Sequence, residues 1–151
     1  MGNIQTVHSV RKVSFEDIVD TVYKNKHAYL LINTLAITDQ ECLITHTTPA
    51  QMEESIVNQL ISGNKEHPII MYGKNTNDTS VLVKYEQLSK LGFTNIMVYP
   101  GGLFEWCLLQ EIYGSEMFPT TSKVNDLYAY RPQKTLHMNL LTQYQCITVY
   151  G

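Results

Sequence analysis

The stretch IIMYGKNTNDTS, from Ile69 to Ser80, decides the predicted fold. Its apolar start, Ile69 to Tyr72, is typical of a buried strand; Gly73 ends that strand, and a helical pattern begins at about Ser80. In an open α/β sheet, the carboxyl end of a strand that leads into a helix is the usual ligand site, because free backbone N–H groups and the helix dipole point into the same space. We therefore expect any active site in the loop from Gly73 to Thr79.

Strands and helices alternate on both sides of this stretch. Further strands are predicted at 7–13, 29–32, 42–44 and 96–99, and helices at 15–25, 49–62, 80–91 and 103–113. Ser14 is expected to cap the first helix, Thr48 is expected to cap the second, and Gly92 is expected to end the third. The alternation predicts an α/β fold, an open parallel sheet of about five strands with helices on both faces.

The composition fits one globular domain. The 151 residues are 44% hydrophobic, which is enough for one core and too little for two ordinary domains. The 11 basic and 14 acidic residues give a net charge of −3 without a long basic run, so nucleic acid is not an expected partner. The longest apolar runs are far shorter than the roughly 18 residues of a membrane span, so the chain is not expected to cross a bilayer.

The cysteines and histidines predict neither a disulfide framework nor a metal site. Cys42, Cys107 and Cys146 are odd in number and widely spaced, and no secretory signal precedes them, which favours a reducing, cytoplasmic location. The five histidines share no ligand spacing. We expect no metal and no cofactor.

The first residues carry a lipidation pattern. The hexapeptide MGNIQT fits M-G-x-x-x-[ST], so Gly2 is a candidate for N-myristoylation, although an ordinary N-terminus is the more frequent explanation of so short a match. A single myristoyl chain gives only marginal membrane binding. Any association with a membrane surface is therefore expected to be weak.

The pattern weakens from Gly114 onward. We predict a domain over 1–115, with its core at about 13–113, and an irregular C-terminal extension over 116–151. The extension contains scattered tyrosines, Tyr128, Tyr130, Tyr144 and Tyr150. They either anchor the extension on the domain, which we favour, or form an arm that binds a partner.

A strand, a Gly-Gly turn and the start of a helix stand in the run IMVYPGGLFEW, from Ile96 to Trp106. This run resembles the rhodanese family, as does the preceding KLGFTNI. Ser14 to Asp17 resembles the family's first helix start, and Tyr29 to Thr34 resembles its strand that ends in Asp-Val-Arg, with Asn33 in place of that Asp and no Arg following. The resemblance covers about 13–113 and implies the rhodanese fold.

The resemblance also implies what the loop after Tyr72 should contain. Rhodaneses carry a persulfide on a cysteine at its start, related phosphatases have C-x5-R there, and both hold an anion with N–H donors and cationic help. Here Gly73 and Thr79 occupy those positions, and Asp78 places a negative charge where an anion would sit. We expect an inactive member without a catalytic residue, whose degenerate loop comprises Gly73, Lys74, Asn75, Thr76, Asn77, Asp78 and Thr79.

The leading hypothesis is a non-enzymatic rhodanese-like domain that acts as a binding, scaffold or regulatory module. Its partner would be an unidentified protein or a second copy of the chain. The predicted last helix is apolar over more than one face, with Leu103, Phe104, Leu108, Leu109, Ile112 and Tyr113. We expect the C-terminal extension to cover the extra face; otherwise that face is an interface.

Three other interpretations stay open. A relocated nucleophile, Cys42 or Cys107, would make the protein a sulfurtransferase or phosphatase-like enzyme, although such cysteines are more often buried hydrophobes. Lys74, with Thr79 or Ser80, could hold a small polar ligand at the helix N-terminus. A myristoylated Gly2 would make the protein a weakly membrane-associated adaptor.

Overall fold

Three short parallel strands form the centre of the structure, a computed structural model that describes residues 10–136. They are β1 (Leu30–Asn33), β2 (Ile69–Tyr72) and β3 (Ile96–Tyr99), and β2 lies between the other two. Leu30 pairs with Ile69 and Ile69 with Ile96, so the strands are aligned without stagger. All three therefore end in one row, and the loops that follow them leave from the same edge of the sheet.

Four helices flank this sheet. They are α1 (Phe15–Tyr23), α2 (Ala50–Ser62), α3 (Ser80–Lys90) and α4 (Gly102–Tyr113), and two short 3-10 helices lie at Ile37–Asp39 and Leu127–Tyr130. Every residue of the three strands is buried, as expected for a parallel sheet covered on both faces. The predicted α/β fold, an open parallel sheet with flanking helices, is confirmed.

Alternation along the strands divides the core into two clusters. Tyr72 and its same-face neighbours pack with residues of α1 and α4, among them Ile18 and Trp106. Met71 and the residues of the opposite face pack with residues of α2 and α3, among them Val57. The helices therefore cover both faces of the sheet, α1 and α4 on one and α2 and α3 on the other.

The sheet has three strands within residues 10–136 rather than the expected five or so. Where the first predicted strand ends, Lys12 forms an isolated parallel bridge to Val98, and 7–9 lie outside the described residues. At the predicted strand 42–44, Ile44 forms an isolated bridge to Thr120 of the extension. Each segment pairs with its partner through a single bridge, which is too short to count as a strand.

Two of the three residues predicted to begin or end a helix, Ser14 and Gly92, do so. The Asp17 carboxylate accepts hydrogen bonds from the Ser14 N–H (2.8 Å) and hydroxyl (3.2 Å), which caps α1. Gly92 follows α3 with φ +100°, a conformation that favours glycine. The expectation that Thr48 caps α2 is wrong: Pro49 holds that position, because its carbonyl accepts the first hydrogen bonds of the helix, from the N–H groups of Met52 (2.9 Å) and Glu53 (3.1 Å).

The described part of the extension contacts α4 and the core. Phe118 is buried, and the Trp106 indole N–H donates to the Pro119 carbonyl at 3.0 Å. Tyr130 is half-buried and Tyr128 is exposed, whereas Tyr144 and Tyr150 lie outside the described residues. The domain boundary at 115 stays a prediction.

No helix within residues 10–136 is long and apolar enough to cross a membrane. Gly2, the lipidation candidate, lies outside the described residues. Its acylation stays a prediction.

Candidate functional site

The loop between β2 and α3, residues 73–79, is held from one side by the start of α4. The N–H groups of Leu103 and Phe104 donate to the carbonyls of Gly73 (3.0 Å) and Lys74 (2.9 Å). Gly102 makes this approach possible, because its φ is +66° and a Cβ there would lie 2.7 Å from the Gly73 carbonyl oxygen. Two of the free N–H donors at the N-terminus of α4 are thus already used by the loop itself.

The Asp78 carboxylate occupies the inside of the loop. Its Oδ2 accepts a hydrogen bond from the Lys74 N–H (2.8 Å), and its Oδ1 accepts from the Ser80 N–H (3.0 Å) and the Ser80 hydroxyl (2.6 Å). Lys74 and Ser80 stand at the start of the loop and at the N-terminus of α3, where an anionic ligand would find its donors. A side chain of the protein therefore takes the place of an external anion.

Gly73 leaves no room for a side chain. A Cβ built on it would lie 2.6 Å from Asp78 Oδ2 and 2.6 Å from Val81 Cγ2, both far inside van der Waals contact. Within residues 10–136, the glycines with positive φ are Gly92, Gly102 and Gly114. The restriction at Gly73 is therefore one of space. A larger residue there would have to displace the Asp78 carboxylate from its hydrogen bonds or move α3.

The environment of Asp78 favours its charged form. Burial raises the pKa of its carboxyl, but the hydrogen bonds from Lys74 and Ser80 and the Lys74 charge outweigh burial and bring the pKa below its ordinary value. Because the folded-state pKa is lowered, this carboxylate stabilises the fold above the unfolded-state pKa of about 3.9, and the contribution is lost as the pH falls through the folded-state value.

Replacing Asp78 with Ala should therefore lower the free energy of unfolding at pH 7. We expect a loss of about 1–2 kcal/mol, since three hydrogen bonds to a charged group are removed from a half-exposed position. The difference between wild type and variant should shrink below about pH 4. Urea unfolding at pH 7 and near pH 3 measures both, with Glu86→Ala on the exposed face of α3 as the control. A difference that is independent of pH would contradict this role of the charge.

A cavity of about 560 Å³ opens beside the loop, and its lining joins segments far apart in sequence. Lys74 Nζ lies 3.1 Å from Asp39 Oδ2, which belongs to the segment after β1. Arg131 of the extension also lines the cavity, with its guanidinium carbon 3.8 Å from the centre of the Tyr128 ring. The cavity therefore has two cations, Lys74 and Arg131, beside two carboxylates, Asp39 and Asp78, so its charges are balanced.

Comparisons with known proteins agree with this architecture. The family model described as "Rhodanese-like domain" matches residues 18–109, which is more than half of the chain. The chain belongs to the rhodanese-like domain family. A search of curated protein sequences finds no match to it.

Solved structures show the same fold for this rhodanese-like domain. The Alr3790 protein from Anabaena sp. has a TM-score of 0.54 at 19% identity, and the match covers 74% of this chain and 93% of that one. The single-domain sulfurtransferase RDL2 of Saccharomyces cerevisiae has a TM-score of 0.52 at 15% identity, with 76% and 99% covered. At these identities the likeness concerns the fold alone.

In this rhodanese-like domain, most polar groups that are expected to bind a ligand are already hydrogen-bonded or ion-paired with other residues of the chain. Lys74 pairs with Asp39, and Ser80 bonds to Asp78. The Asn75 side chain accepts from the Asn77 N–H (2.9 Å) and donates to the Tyr130 carbonyl (3.0 Å). Two other loop residues, Thr76 and Thr79, are exposed.

Sequence reasoning missed two charged residues of this cavity, Asp39 and Arg131. Neither belongs to the motif of the loop, and Arg131 lies in the extension, where no periodic pattern indicated its position. The hydrogen bond from Asn75 to Tyr130 joins residues that are 55 positions apart in the sequence. No local signal could have shown that the extension reaches the loop.

The candidate nucleophiles lie apart from the loop. Cys42 and Cys107 are both buried free thiols, whereas Cys146 is outside the described residues. Cys42 lines a second cavity, of about 360 Å³, between the segment 38–42 and the extension. Within residues 10–136 no group of three His, Cys, Asp or Glu side chains is placed to hold a metal ion.

Proposed function

We propose that this chain is a non-catalytic rhodanese-like domain that acts by binding another protein. The observation that supports this proposal is the Asp78 carboxylate, which takes the N–H donors of Lys74 and Ser80. Sulfur or phosphoryl transfer at this loop needs a nucleophile and a free set of donors for the anion that it attacks. Gly73 supplies no nucleophile, and Asp78 competes with any anion for the donors.

An apolar surface on α4 supports a binding role. Leu108, Ile112 and Tyr113 are exposed, and Ile112 is 69% accessible. Leu109 of the same helix packs against the core, as does the buried Leu103. Met117, which follows α4, is also exposed. Apolar side chains gathered on one surface are typical of protein interfaces.

An enzyme with a relocated nucleophile is the second candidate, and one observation favours Cys42 over Cys107 for that role. Cys42 lines the 360 Å³ cavity, whereas Cys107 is fully buried. A nucleophilic thiol must be accessible to its substrate. In an enzyme that transfers sulfur, Cys42 would therefore be the nucleophile.

Enzyme assays separate the two candidates. We expect no sulfur transfer from thiosulfate to cyanide and no hydrolysis of an aryl phosphate above the uncatalysed rate. Cys42→Ser tests the relocated nucleophile, and Cys107→Ser, which removes a fully buried thiol outside the loop, is its matched control. Turnover that Cys42→Ser abolishes would overturn the proposal and support the relocated nucleophile.

Binding is tested with variants of the α4 surface. The wild-type chain is expected to bind a partner saturably in a lysate of the source organism, and Ile112→Asp should abolish this binding. Gln59 is an exposed residue of α2, so Gln59→Asp should leave the binding unchanged. Light scattering on the purified chain tells whether the partner is a second copy. Equal capture by both variants would exclude the α4 surface.

A further inference from the structure

The apolar side chains on α4 form a surface that continues onto α1. The α4 surface consists of four exposed apolar side chains in the last turns of α4 and just after it, Leu108, Ile112, Tyr113 and Met117. The Tyr23 hydroxyl at the end of α1 donates a hydrogen bond to the carbonyl of Glu116, the residue before Met117. The ring of Tyr23, which is also exposed, therefore lies beside the α4 surface. Exposed apolar side chains that lie together in this way are typical of an interaction site.

The α4 surface is negatively charged. From Leu91 to Ser122 the chain has three glutamates and no lysine or arginine. Glu111 lies one helical turn after Leu108, and Glu116 directly precedes Met117; both glutamates are exposed. Within residues 10–136, neither carboxylate takes part in a salt bridge. Two negative charges therefore stand among the apolar side chains without a cation paired to them in the described part of the chain.

Charges on the neighbouring end of α1 do not neutralise these glutamates. Lys24 follows Tyr23, but its Nζ lies 3.1 Å from Asp20 Oδ1. Asp20 and Lys24 therefore balance each other, and the α4 surface keeps the negative charge of Glu111 and Glu116.

This charge discriminates between the possible occupants of the α4 surface. Residues 137–151 contain no lysine or arginine, so the C-terminal segment that lies outside the described residues offers no such cation to Glu111 or Glu116. A second copy that used the same surface would bring the two glutamates of each chain together, and like charges across an interface are unfavourable. An anionic membrane would repel these carboxylates for the same reason. A protein segment that carries both apolar and cationic side chains matches the surface best.

We propose that the α4 surface binds an amphipathic helix of a partner protein, with lysine or arginine residues beside the apolar face of that helix. The inference rests on the proposed binding function and adds the chemical class of the partner. The α4 surface is built from side chains of helices, which have no free backbone edge for strand addition, so a helix that binds through its side chains fits it. The apolar face of the partner helix would cover Leu108 and Ile112, and its cations would pair with Glu111 and Glu116.

The test uses the full-length chain and a fluorescein-labelled model peptide, LKKLLKLLKKLLKL, whose pattern gives an amphipathic helix with lysines beside a leucine face. The control peptide, LEELLELLEELLEL, has the same apolar pattern and the opposite charge. Fluorescence anisotropy measures the binding of each peptide. We expect saturable binding of the lysine peptide, with a dissociation constant at least about tenfold lower than that of the glutamate peptide.

Two substitutions separate docking on the α4 surface from general attraction between opposite charges. Ile112→Asp adds a carboxylate, so it would strengthen a purely electrostatic association; because it places a charge in the covered apolar contact, it should instead weaken binding of the lysine peptide at least about tenfold. Glu111→Gln should weaken this binding at least about threefold. The matched neutralisation Glu86→Gln, on the exposed face of α3, should leave the dissociation constant within about twofold of wild type.

The partner class and the binding function fail in different ways. If the wild-type chain binds neither peptide, or binds both equally, while capture of a partner from a lysate still depends on Ile112, the partner class is wrong and the binding function stands. If that capture is also absent, both are wrong. A dimer that Ile112→Asp dissociates, seen by light scattering, would overturn the partner class in favour of a second copy. Binding to phosphatidylserine vesicles that Ile112→Asp abolishes would overturn it in favour of a membrane.

Discussion

Phe118→Ala is expected to lower the free energy of unfolding by about 3–5 kcal/mol, which is the usual cost of removing a large buried aromatic side chain. Phe118 is only 1% exposed, and its ring packs edge-on against that of Trp106, with 5.0 Å between the centroids. A second ring, that of Phe15 on α1, lies 5.9 Å away. The substitution would leave a cavity where the extension meets α1 and α4.

Met117→Ala is the matched control for this prediction. Met117 is the preceding residue and 50% exposed, so its truncation should change stability by no more than about 0.5 kcal/mol. Urea unfolding followed by fluorescence suits both variants, because Trp106 is the single tryptophan and its indole bonds to Pro119. Equal effects of the two substitutions would show that the extension is not part of the cooperative fold.

Truncation of the chain after Ser115 removes all contacts of the extension with the core. The truncated chain lacks Phe118 and the Pro119 carbonyl, so it would expose Trp106 and leave the indole N–H without its acceptor. We expect this chain to be less stable than Phe118→Ala. The prediction thus also tests whether 1–115 can act as an independent domain.

Gly73→Cys is expected to confer no activity, even though it places a thiol at the position predicted for the rhodanese cysteine. The new Cβ would lie 2.6 Å from both Asp78 Oδ2 and Val81 Cγ2, so the loop must deform. Overpacking of this kind costs about 1–3 kcal/mol. Even a thiol accommodated at this position would stand beside the Asp78 carboxylate, which disfavours both a thiolate and an anionic substrate.

The steric part of this prediction is measured separately with Gly73→Ala. We expect it to lower the free energy of unfolding by about 1–3 kcal/mol, whereas Gly63→Ala, at the exposed end of α2, should stay within about 0.5 kcal/mol of wild type. A Cβ at Gly63 meets only the Gln59 carbonyl oxygen, at 3.3 Å. Treatment of Gly73→Cys with thiosulfate and measurement of its intact mass completes the test. If a stably folded variant carried a persulfide on the introduced cysteine, the conclusion that the loop has no room for a side chain at position 73 would be contradicted.

The backbone of the sheet and its helices could be predicted from the sequence. The buried runs 69–72 and 96–99 are strands with those bounds, and Gly92 ends α3 as its position predicted. These signals are local, because a continuous apolar run or a glycine determines the conformation of its own segment. The segment 42–44 was misjudged as a strand because its partner is Thr120 of the extension, which no local pattern indicates.

The sequence by itself predicted the family and the strand–loop–helix arrangement at 69–90, and both are confirmed. That Gly73 takes the place of the family's cysteine stays a prediction. Only the tertiary structure decided what fills the loop. Asp78 was expected to repel an anion, and the structure shows that it takes the donors of Lys74 and Ser80. The structure also brings Arg131 to the cavity beside the loop. The physical reason is that such contacts join segments distant in sequence, so they depend on how the elements pack rather than on any local pattern.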